Sequence, residues 1–209
     1  MLMFGFRSAW ADWVMVPTGS MNPTILEGDR LLVDKHAFGL RIPFTHVRIT
    51  PGEDPQRGDI VVFDSPADGK SLVKRVAVVP GDTVALDGET LIVNGHPARY
   101  RLENVDGLRG LLASTAAQNP LLLREASLGK DHDVMLLPAR VFRGRFGPVV
   151  MPPDMYFMLG DNRDNSADSR YIGLVPRRNI VGRAMRVVVS LNPENYYIPR
   201  RDRFLRPLG

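Results

Sequence analysis

The chain has 209 residues, of which 44% are hydrophobic and 24% are charged, and these proportions argue against a disordered, collagen-like or coiled-coil protein. The sequence contains no cysteine, which excludes a disulfide scaffold, a cysteine-ligated metal site and a thiol nucleophile. The formal net charge is +4, but residues 177–209 alone carry +6, which points either to an anionic partner, nucleic acid or a phospholipid surface, or to solvated surface arginines. At about 150 residues per domain, the length predicts one large domain or one domain with an insertion.

Residues 1–13 form a short apolar start to the chain. Four large apolar side chains follow one another at helical spacing, namely Met3, Phe6, Trp10 and Trp13. Tryptophans close to a chain end suit a membrane interface, and a helix docked on a protein core fits the same spacing equally well. No window of the sequence reaches the roughly 18 apolar residues that a membrane span requires, so we predict no complete transmembrane span.

The chain after Trp13 predicts a mainly β protein of antiparallel sheets, because β-branched and aromatic runs alternate with turn residues. The predicted strands are residues 30–35, 59–64, 71–79, 83–86, 90–93, 155–159 and 180–191. Between about 96 and 150 the sequence becomes rich in Leu, Arg and Ala with weaker alternation. We therefore predict a main β domain formed by 14–95 and 151–209, with 96–150 as an inserted, less regular subdomain.

Ser20 lies in the first of three unusual segments. Gly19 and two prolines constrain the stretch VPTGSMNPTI at 16–25, so Ser20 is presented on a short fixed loop between apolar residues. A serine in such a position is usually a turn former, and it is a candidate nucleophile only if a base lies beside it.

Lys74 lies in the second segment, on the predicted strand 71–79. Alternation places it on a largely apolar face with Val76 and Val78. An edge-strand lysine that points to water is the ordinary explanation. If Lys74 is buried, however, desolvation lowers its pKa. A general base needs this shift, because only about 0.04% of an unperturbed lysine is neutral at pH 7.

The third segment is the glycine-bounded loop LGDNRDNSADSRYIG at 159–173, which combines acids, bases and hydroxyls after an apolar strand. This composition predicts a hydrogen-bonded network that fixes a site. The acids do not follow the calcium-loop spacing, so we predict no metal site.

Other catalytic motifs fit the sequence less well. Ser71 and Lys74 match the S-x-x-K pattern of penicillin-binding enzymes, but that pattern needs a helix, and a strand points its positions i and i+3 to opposite faces. The sequence has no H-E-x-x-H motif. A Ser-His-Asp triad is left open, because its members need not be close in sequence.

Four blocks taken together carry a family resemblance. They are PTGSMNPT at 17–24, RGDIVVF at 57–63, VKRVAVVPGD at 73–82 and GDNRDNSADSR at 160–170. In this order they resemble the bacterial type I signal peptidases, Ser-Lys endopeptidases that remove leader sequences from exported proteins. The resemblance implies that Ser20 is the nucleophile and Lys74 the general base, with no cofactor and no metal. It also implies an oxyanion hole formed by the Ser20 backbone N–H and the Thr18 hydroxyl.

The same resemblance implies roles for the residues around the dyad. Ser166 would orient the Lys74 amine, while Asp168, Arg170 and Arg75 would support the loop. The substrate would add as a strand beside 14–17 and 72–73, and its small side chains would enter shallow pockets. The residues expected to bind substrate are Val14, Met15, Val16, Pro17, Met21, Ile25, Leu72 and Val73.

The resemblance finally implies partners and a location. The partners would be preproteins that carry signal peptides, cut after Ala-x-Ala-type sequences, and an anionic phospholipid surface rather than nucleic acid. The catalytic domain would lie at the outer face of the cytoplasmic membrane, and residues 1–13 would be the remnant of a longer anchor or an interfacial segment. Two alternatives remain: a related Ser-Lys processing protease with a dedicated substrate, and a non-catalytic β-rich protein that binds RNA or anionic lipid.

Overall fold

The structure is a computed structural model, and it describes residues 11–39, 49–50, 52–104, 119–127, 129–138 and 144–208. The strands are β1 (Ala11–Met15), β2 (Asp29–Asp34), β3 (Ile60–Asp64), β4 (Ser71–Val78), β5 (Thr83–Asp87), β6 (Thr90–Val93), β7 (His96–Pro97), β8 (Arg99–Leu102), β9 (Leu121–Ala126), β10 (His132–Leu136), β11 (Arg145–Val150), β12 (Met155–Leu159), β13 (Val175–Pro176), β14 (Ile180–Asn192) and β15 (Ile198–Pro199). One turn of α-helix, α1 (Ser169–Ile172), and two 3-10 helices, Arg177–Asn179 and Arg201–Arg203, complete the described part.

The strands form three sheets in which every named pair is antiparallel. The largest has eight strands, in the order β1-β2-β14-β3-β4-β12-β13, with β15 paired to β14. A four-stranded sheet has the order β11-β5-β6-β7, and a three-stranded sheet has the order β10-β9-β8. The predicted fold class, a mainly β protein of antiparallel sheets, is confirmed.

All seven predicted strands are present, and none of their ends differs from the prediction by more than one residue. Their alternation has a simple cause, which β2 illustrates. Buried and less buried residues alternate along β2, so Leu31 and Val33 lie in the core and Arg30 is exposed. A half-buried strand needs this pattern, since successive side chains point to opposite faces.

The region 96–150 is more regular than predicted, because its described residues include β7 to β11. The division points at 96 and 150 fall inside the four-stranded sheet, since β7 pairs with β6 and β11 pairs with β5. Among the described residues of this region, only β8, β9 and β10 form a sheet of their own, which shares no strand with the other two sheets. The apolar alternation of a strand is weak in this region, because β9 buries the charged Glu125 as well as the apolar Leu122.

The start of the chain also differs from the prediction where the structure describes it. Residues 1–10 lie outside the described residues. Trp13 belongs to strand β1, where it pairs with Leu32 of β2 and has 52% of its surface exposed, rather than to a helix. Among the described residues, no helix has the length and apolarity needed to cross a membrane.

Among the described residues, one of three buried apolar clusters positions the segment that carries Ser20. Val16, Met21 and Ile25, from the loop after β1, pack with residues of β2, β3 and β14. Val73 of β4 packs against the same cluster. Since β1 and β4 are separated by three strands in the sheet order, this shared core brings the loop after β1 next to β4.

Several arginines in residues 177–209 form ion pairs or hydrogen bonds within the protein. Arg203 is fully buried, and its Nη2 donates to Asp29 Oδ2 at 2.6 Å and to the Thr24 carbonyl at 3.0 Å. Arg177 pairs with Asp54, and Arg183 pairs with Glu53 and Asp59, while Arg200 donates to the carbonyls of Glu27 and Leu191. Half of the eight arginines therefore serve internal contacts, and the exposed ones are Arg178, Arg186, Arg201 and Arg206.

Candidate active site

The loop after β1 holds Ser20 in a fixed place. The Val16 N–H donates to the Asp29 carbonyl at 2.9 Å, and the Gly28 N–H donates to the Val16 carbonyl at 3.0 Å. The Asn22 N–H then closes a turn onto the Gly19 carbonyl at 3.1 Å. This turn presents the Ser20 side chain toward β4.

Lys74 of β4 meets Ser20 directly. The side chain is buried, with 3% of the residue exposed, and its Nζ lies 2.7 Å from Ser20 Oγ and 2.9 Å from the Val73 carbonyl. Burial lowers the pKa of the Lys74 amine from 10.5 to about 8, and the carboxylates of Asp168 and Asp161 oppose this shift. The alternative of an edge-strand lysine that points to water is therefore wrong.

This contact has a clear chemical consequence. With a pKa of about 8, about a tenth of the amine is neutral at pH 7, several hundred times more than for an ordinary lysine. A neutral amine at hydrogen-bond distance from a hydroxyl can take its proton. The Thr18 hydroxyl, which is the predicted second oxyanion donor, also lies near Ser20, with its Oγ1 3.5 Å from Ser20 Oγ.

The loop after β12 packs against both residues of this pair. Asp168 is fully buried, caps α1, and accepts hydrogen bonds from the Arg170 Nε at 2.8 Å and from the Gly160 N–H at 3.0 Å. Arg75, the neighbour of Lys74, does not bind Asp168. It forms a buried pair with Asp161 instead, with Nε to Oδ1 at 2.8 Å and Nη2 to Oδ2 at 2.7 Å. Asp168 and Arg170 therefore contact each other, whereas Arg75 binds Asp161 of the same loop.

Ser166 differs from its predicted role. Its hydroxyl is buried and makes no hydrogen bond within the described part of the chain, so it does not contact the Lys74 amine. It packs against Gly160, where an added Cβ would lie 2.2 Å from Ser166 Oγ and 2.6 Å from the Ser20 carbonyl oxygen. Ser166 thus lies close to the Ser20 backbone, and Gly160 leaves no room for a side chain.

Two residues of this loop, to which the sequence analysis gave no role, bind the segment that carries Ser20. The Asn162 side-chain Nδ2 donates to the Gly19 carbonyl at 3.0 Å, and its backbone N–H donates to the Ser20 carbonyl at 3.1 Å. The Asp161 carboxylate accepts the Thr24 hydroxyl as well as Arg75. Both residues belong to the eleven-residue block at 160–170, but nothing in the sequence says which carboxylate takes which partner.

The predicted substrate-binding residues divide into two groups. Val14, Val73 and Leu72 are half-buried, Met15 and Pro17 are exposed, and Val16 is buried. Among the described strands, β1 pairs only with β2, and residues 71–74 of β4 pair only with β3, so both strands leave an edge beside the dyad.

Met21 and Ile25 form the second group, and their predicted place on a pocket wall is wrong. Neither has any exposed surface. Both pack into the core cluster with Leu31 and Ile60 of the neighbouring strands. Their apolar side chains fill the space beneath the loop that carries Ser20 rather than facing an open pocket.

Comparison with known proteins gives the family. The family model described as signal peptidase, peptidase S26, matches residues 1–189. The chain belongs to the peptidase S26 family. Signal peptidase I of Pseudomonas aeruginosa is 39% identical over 199 residues, which cover 88% of this chain and 66% of that protein. Signal peptidase I of Pseudomonas fluorescens is 35% identical over 211 residues, which cover 94% of this chain and 72% of that protein.

This S26 chain thus spans about two thirds of the length of the P. aeruginosa relative. A crystal structure of a signal peptidase I from Enterococcus faecalis V583 is 32% identical, with a TM-score of 0.37, and the match covers 63% of this chain and 97% of that chain. Family membership confirms the resemblance drawn from the four sequence blocks, and it places the chain among the serine peptidases, a class of hydrolases.

Proposed function

We propose that this protein is a membrane-associated endopeptidase that removes signal peptides from exported preproteins, with Ser20 as nucleophile and Lys74 as general base. The observation that carries the proposal is the 2.7 Å contact between the buried Lys74 amine and the Ser20 hydroxyl. The relatives named signal peptidase I support the substrate class.

The proposed reaction has two steps. The neutral Lys74 amine takes the hydroxyl proton as Ser20 Oγ attacks the scissile carbonyl carbon, and the Ser20 N–H and the Thr18 hydroxyl stabilise the oxyanion. The ammonium of Lys74 then returns the proton to the leaving amine, which releases the mature protein and leaves an acyl-enzyme. Lys74 next takes a proton from water, and the resulting hydroxide attacks the ester. Collapse of that intermediate frees the signal peptide and returns the proton to Ser20.

The strand edges beside the dyad suit an extended substrate. A peptide laid along residues 14–17 and 71–74 would pair its backbone with both edges and alternate its side chains between two sides. Met21 and Ile25 fill the core beneath this position, and Val16 is buried with them, so we expect only shallow apolar space for substrate side chains here. Shallow apolar space favours alanine-sized side chains, as in Ala-x-Ala.

Mapping the cut site tests the proposal. We expect the protein, incubated in detergent micelles with a preprotein, to cut once after the Ala-x-Ala segment, as identified by mass spectrometry. A matched preprotein with phenylalanine at the final alanine should stay intact, because the shallow space does not admit a ring. Cleavage confined to one dedicated protein would favour the related processing protease instead. A preprotein that stays whole would contradict the proposal.

The value of kcat/KM for cleavage should rise with pH up to the pKa of Lys74. Lys74 acts as a base only when neutral, and its pKa lies at about 8. We therefore expect kcat/KM to rise about tenfold per pH unit below pH 8 and to level off above it. Initial rates on a peptide substrate between pH 5 and 10 measure this profile. A rate that is constant or falls over the range from pH 6 to 8 would rule out the proposed base.

Docking on an anionic phospholipid surface is the second part of the proposal. Exposed apolar side chains cluster near the end of the chain, namely Tyr196, Tyr197, Ile198, Phe204 and Leu205, and Tyr196 has 94% of its surface exposed. Arg201 and Arg206 are exposed among them. Aromatic rings suit the membrane interface, and arginines attract anionic headgroups. Arg200 binds the Glu27 carbonyl, so this end lies beside the segment that carries Ser20.

Vesicle flotation measures this docking. We expect the protein to float with vesicles that contain phosphatidylglycerol and to float less in a variant with serine at Tyr196 and Tyr197. Replacing exposed Tyr171, which lies on α1, with serine provides the matched control. Equal flotation of all three proteins, or salt-sensitive binding of RNA in place of lipid, would contradict the docking.

A further inference from the structure

The three-stranded sheet of β8, β9 and β10 is joined to the loop after β12 by its backbone. The Met135 N–H of β10 donates to the Asp161 carbonyl at 2.8 Å, and the Arg163 N–H donates to the Met135 carbonyl at 3.0 Å. These two bonds pair residues 161–163 side by side with β10 in a short parallel bridge. The loop that contacts the dyad is therefore held from outside the eight-stranded sheet.

A buried ion pair reinforces this junction. Glu125 of β9 and Arg163 of the loop lie 2.7 Å apart between Oε2 and Nη1, with 1% and 3% of their side chains exposed. The Tyr100 hydroxyl of β8 donates to the same Oε2 at 2.7 Å. Burial alone would raise the pKa of Glu125, but the Arg163 guanidinium outweighs it and holds that pKa below its usual value. Glu125 is thus an ionised carboxylate at neutral pH.

One further titratable group faces Glu125. His132 of β10 has its Nε2 3.6 Å from Glu125 Oε1 and 3.7 Å from Asp161 Oδ1. Burial lowers the pKa of His132, with Asp161 and Glu125 acting against the shift. The negative charge that Arg163 needs as a partner therefore comes from Glu125, since Asp161 is already engaged by Arg75.

Arg163 connects the ion pair to the dyad on both sides in sequence. Its own carbonyl accepts a hydrogen bond from the Arg170 guanidinium, which binds Asp168. The preceding residue, Asn162, binds the carbonyls of Gly19 and Ser20. A displacement of Arg163 would therefore move groups that fix the nucleophile and groups that surround the Lys74 amine.

From these contacts we infer that Glu125 is a positioning residue, which holds the loop 160–163 against the dyad by pairing with Arg163. The sheet of β8, β9 and β10 would thereby stabilise the position of the loop that contacts Ser20 and Lys74. A guanidinium left without its carboxylate inside the protein moves toward water, since an unpaired buried charge costs more than the pair contributes. The loop would move with it. The effect on catalysis rests on the function proposed above, whereas the effect on the loop does not.

Amide hydrogen exchange tests the positioning directly. In Glu125→Gln we expect the amides of Asn162, Arg163 and Met135 to exchange about tenfold faster or more, while amides of β3 and β14 keep their rates. Arg124→Gln is the matched control, because Arg124 lies on the same strand and pairs with Asp133 at the surface. Unchanged exchange at 161–163 in Glu125→Gln overturns the inference, whether or not the protein cleaves a preprotein.

Kinetics separates positioning from a general loss of folded protein. In Glu125→Gln we expect kcat to fall about tenfold with KM within about twofold, and the midpoint of the pH profile to rise above 8, because water that reaches the displaced loop reduces the desolvation of Lys74. A smaller folded fraction lowers the rate without moving that midpoint. Wild-type kcat together with a wild-type midpoint overturns the inference. A wild-type protein without peptidase activity contradicts the proposed function, and exchange still decides the positioning.

Two further variants apply if Glu125→Gln folds poorly. Tyr100→Phe removes one hydrogen bond to Glu125 and keeps the ion pair, so the same changes should appear at about a third of the size. Glu125→Gln combined with Arg163→Met removes the unpaired charge and should recover part of the exchange protection and of kcat. A double variant that exchanges as fast as Glu125→Gln alone would count against the pair as the cause.

Discussion

Replacing Ser20 with alanine, or Lys74 with methionine, is expected to lower kcat/KM for signal-peptide cleavage by about 1,000-fold or more. Without the hydroxyl there is no atom to form the acyl-enzyme. Without the amine, the hydroxyl at 2.7 Å loses the group that takes its proton. The two losses should not add in the double variant, because the residues act as one unit. Single-turnover assays with a purified preprotein measure all three variants.

Lys70→Ala is the matched control for this experiment. Lys70 lies just before β4, its side chain is 78% exposed, and it pairs with Asp68 at the surface. We expect wild-type cleavage from it. Retained cleavage in Ser20→Ala or in Lys74→Met, or a loss of equal size in Lys70→Ala, would contradict the assigned roles.

Lys74→Met should also make the protein more stable, which separates loss of chemistry from loss of fold. Because the folded protein lowers the pKa of this amine from 10.5 to about 8, the unfolded chain binds one more proton between these values, and stability rises with pH across that window. At pH 7 the depressed pKa costs about 3 kcal/mol. Urea unfolding at pH 7 should show Lys74→Met to be about 2 kcal/mol more stable than wild type.

Replacing Arg203 with methionine is expected to lower the free energy of unfolding by about 3 to 5 kcal/mol. The substitution leaves the Asp29 carboxylate fully buried without its 2.6 Å partner, and it removes the donor to the Thr24 carbonyl. Since Thr24 binds Asp161, the damage should extend to the site, and cleavage should fall with stability. Urea unfolding followed by circular dichroism measures the first effect.

Two control variants test whether the unpaired Asp29 carboxylate causes the loss of stability in Arg203→Met. Arg201→Met, an exposed arginine in the same 3-10 helix, should change stability by about 0.5 kcal/mol or less. Adding Asp29→Asn to Arg203→Met removes the unpaired charge, while an amide oxygen can still accept the Leu26 N–H, so most of the loss should be recovered. An Arg203→Met protein as stable as wild type would show that the buried pair contributes nothing.

Local patterns in the sequence predict the strands well, and they single out the two residues of the proposed dyad. Alternation is a property of a single strand, so β4 and β12 can be read without knowing what they pair with. Ser20 and Lys74 are recognisable because each lies in a short motif of constrained residues. Their 2.7 Å contact bridges 54 positions, and only the shared core around Val16 and Val73 brings them together.

The sequence could not predict which charged side chains form ion pairs with one another, and Arg75 is an example. Asp161 and Asp168 lie in one loop with the same charge, and the pairing with Asp161 follows from the register of β4 against β12, which includes an irregularity. Glu125 was missed for a related reason. A buried carboxylate looks like a break in an apolar strand until its partner Arg163, 38 positions away, is known.

The open edges of β1 and β4 carry a consequence for selectivity. Every polypeptide has the same backbone donors and acceptors, so a peptide held along these edges is recognised mainly by groups that do not depend on its sequence. Under the proposed function, discrimination then rests on the few substrate side chains that pack near Val16 and Val73. Such a division would, under the proposed function, let this one enzyme act on many unrelated preproteins. It also means that an uncleavable peptide of extended shape and small side chains would compete with all of them at once.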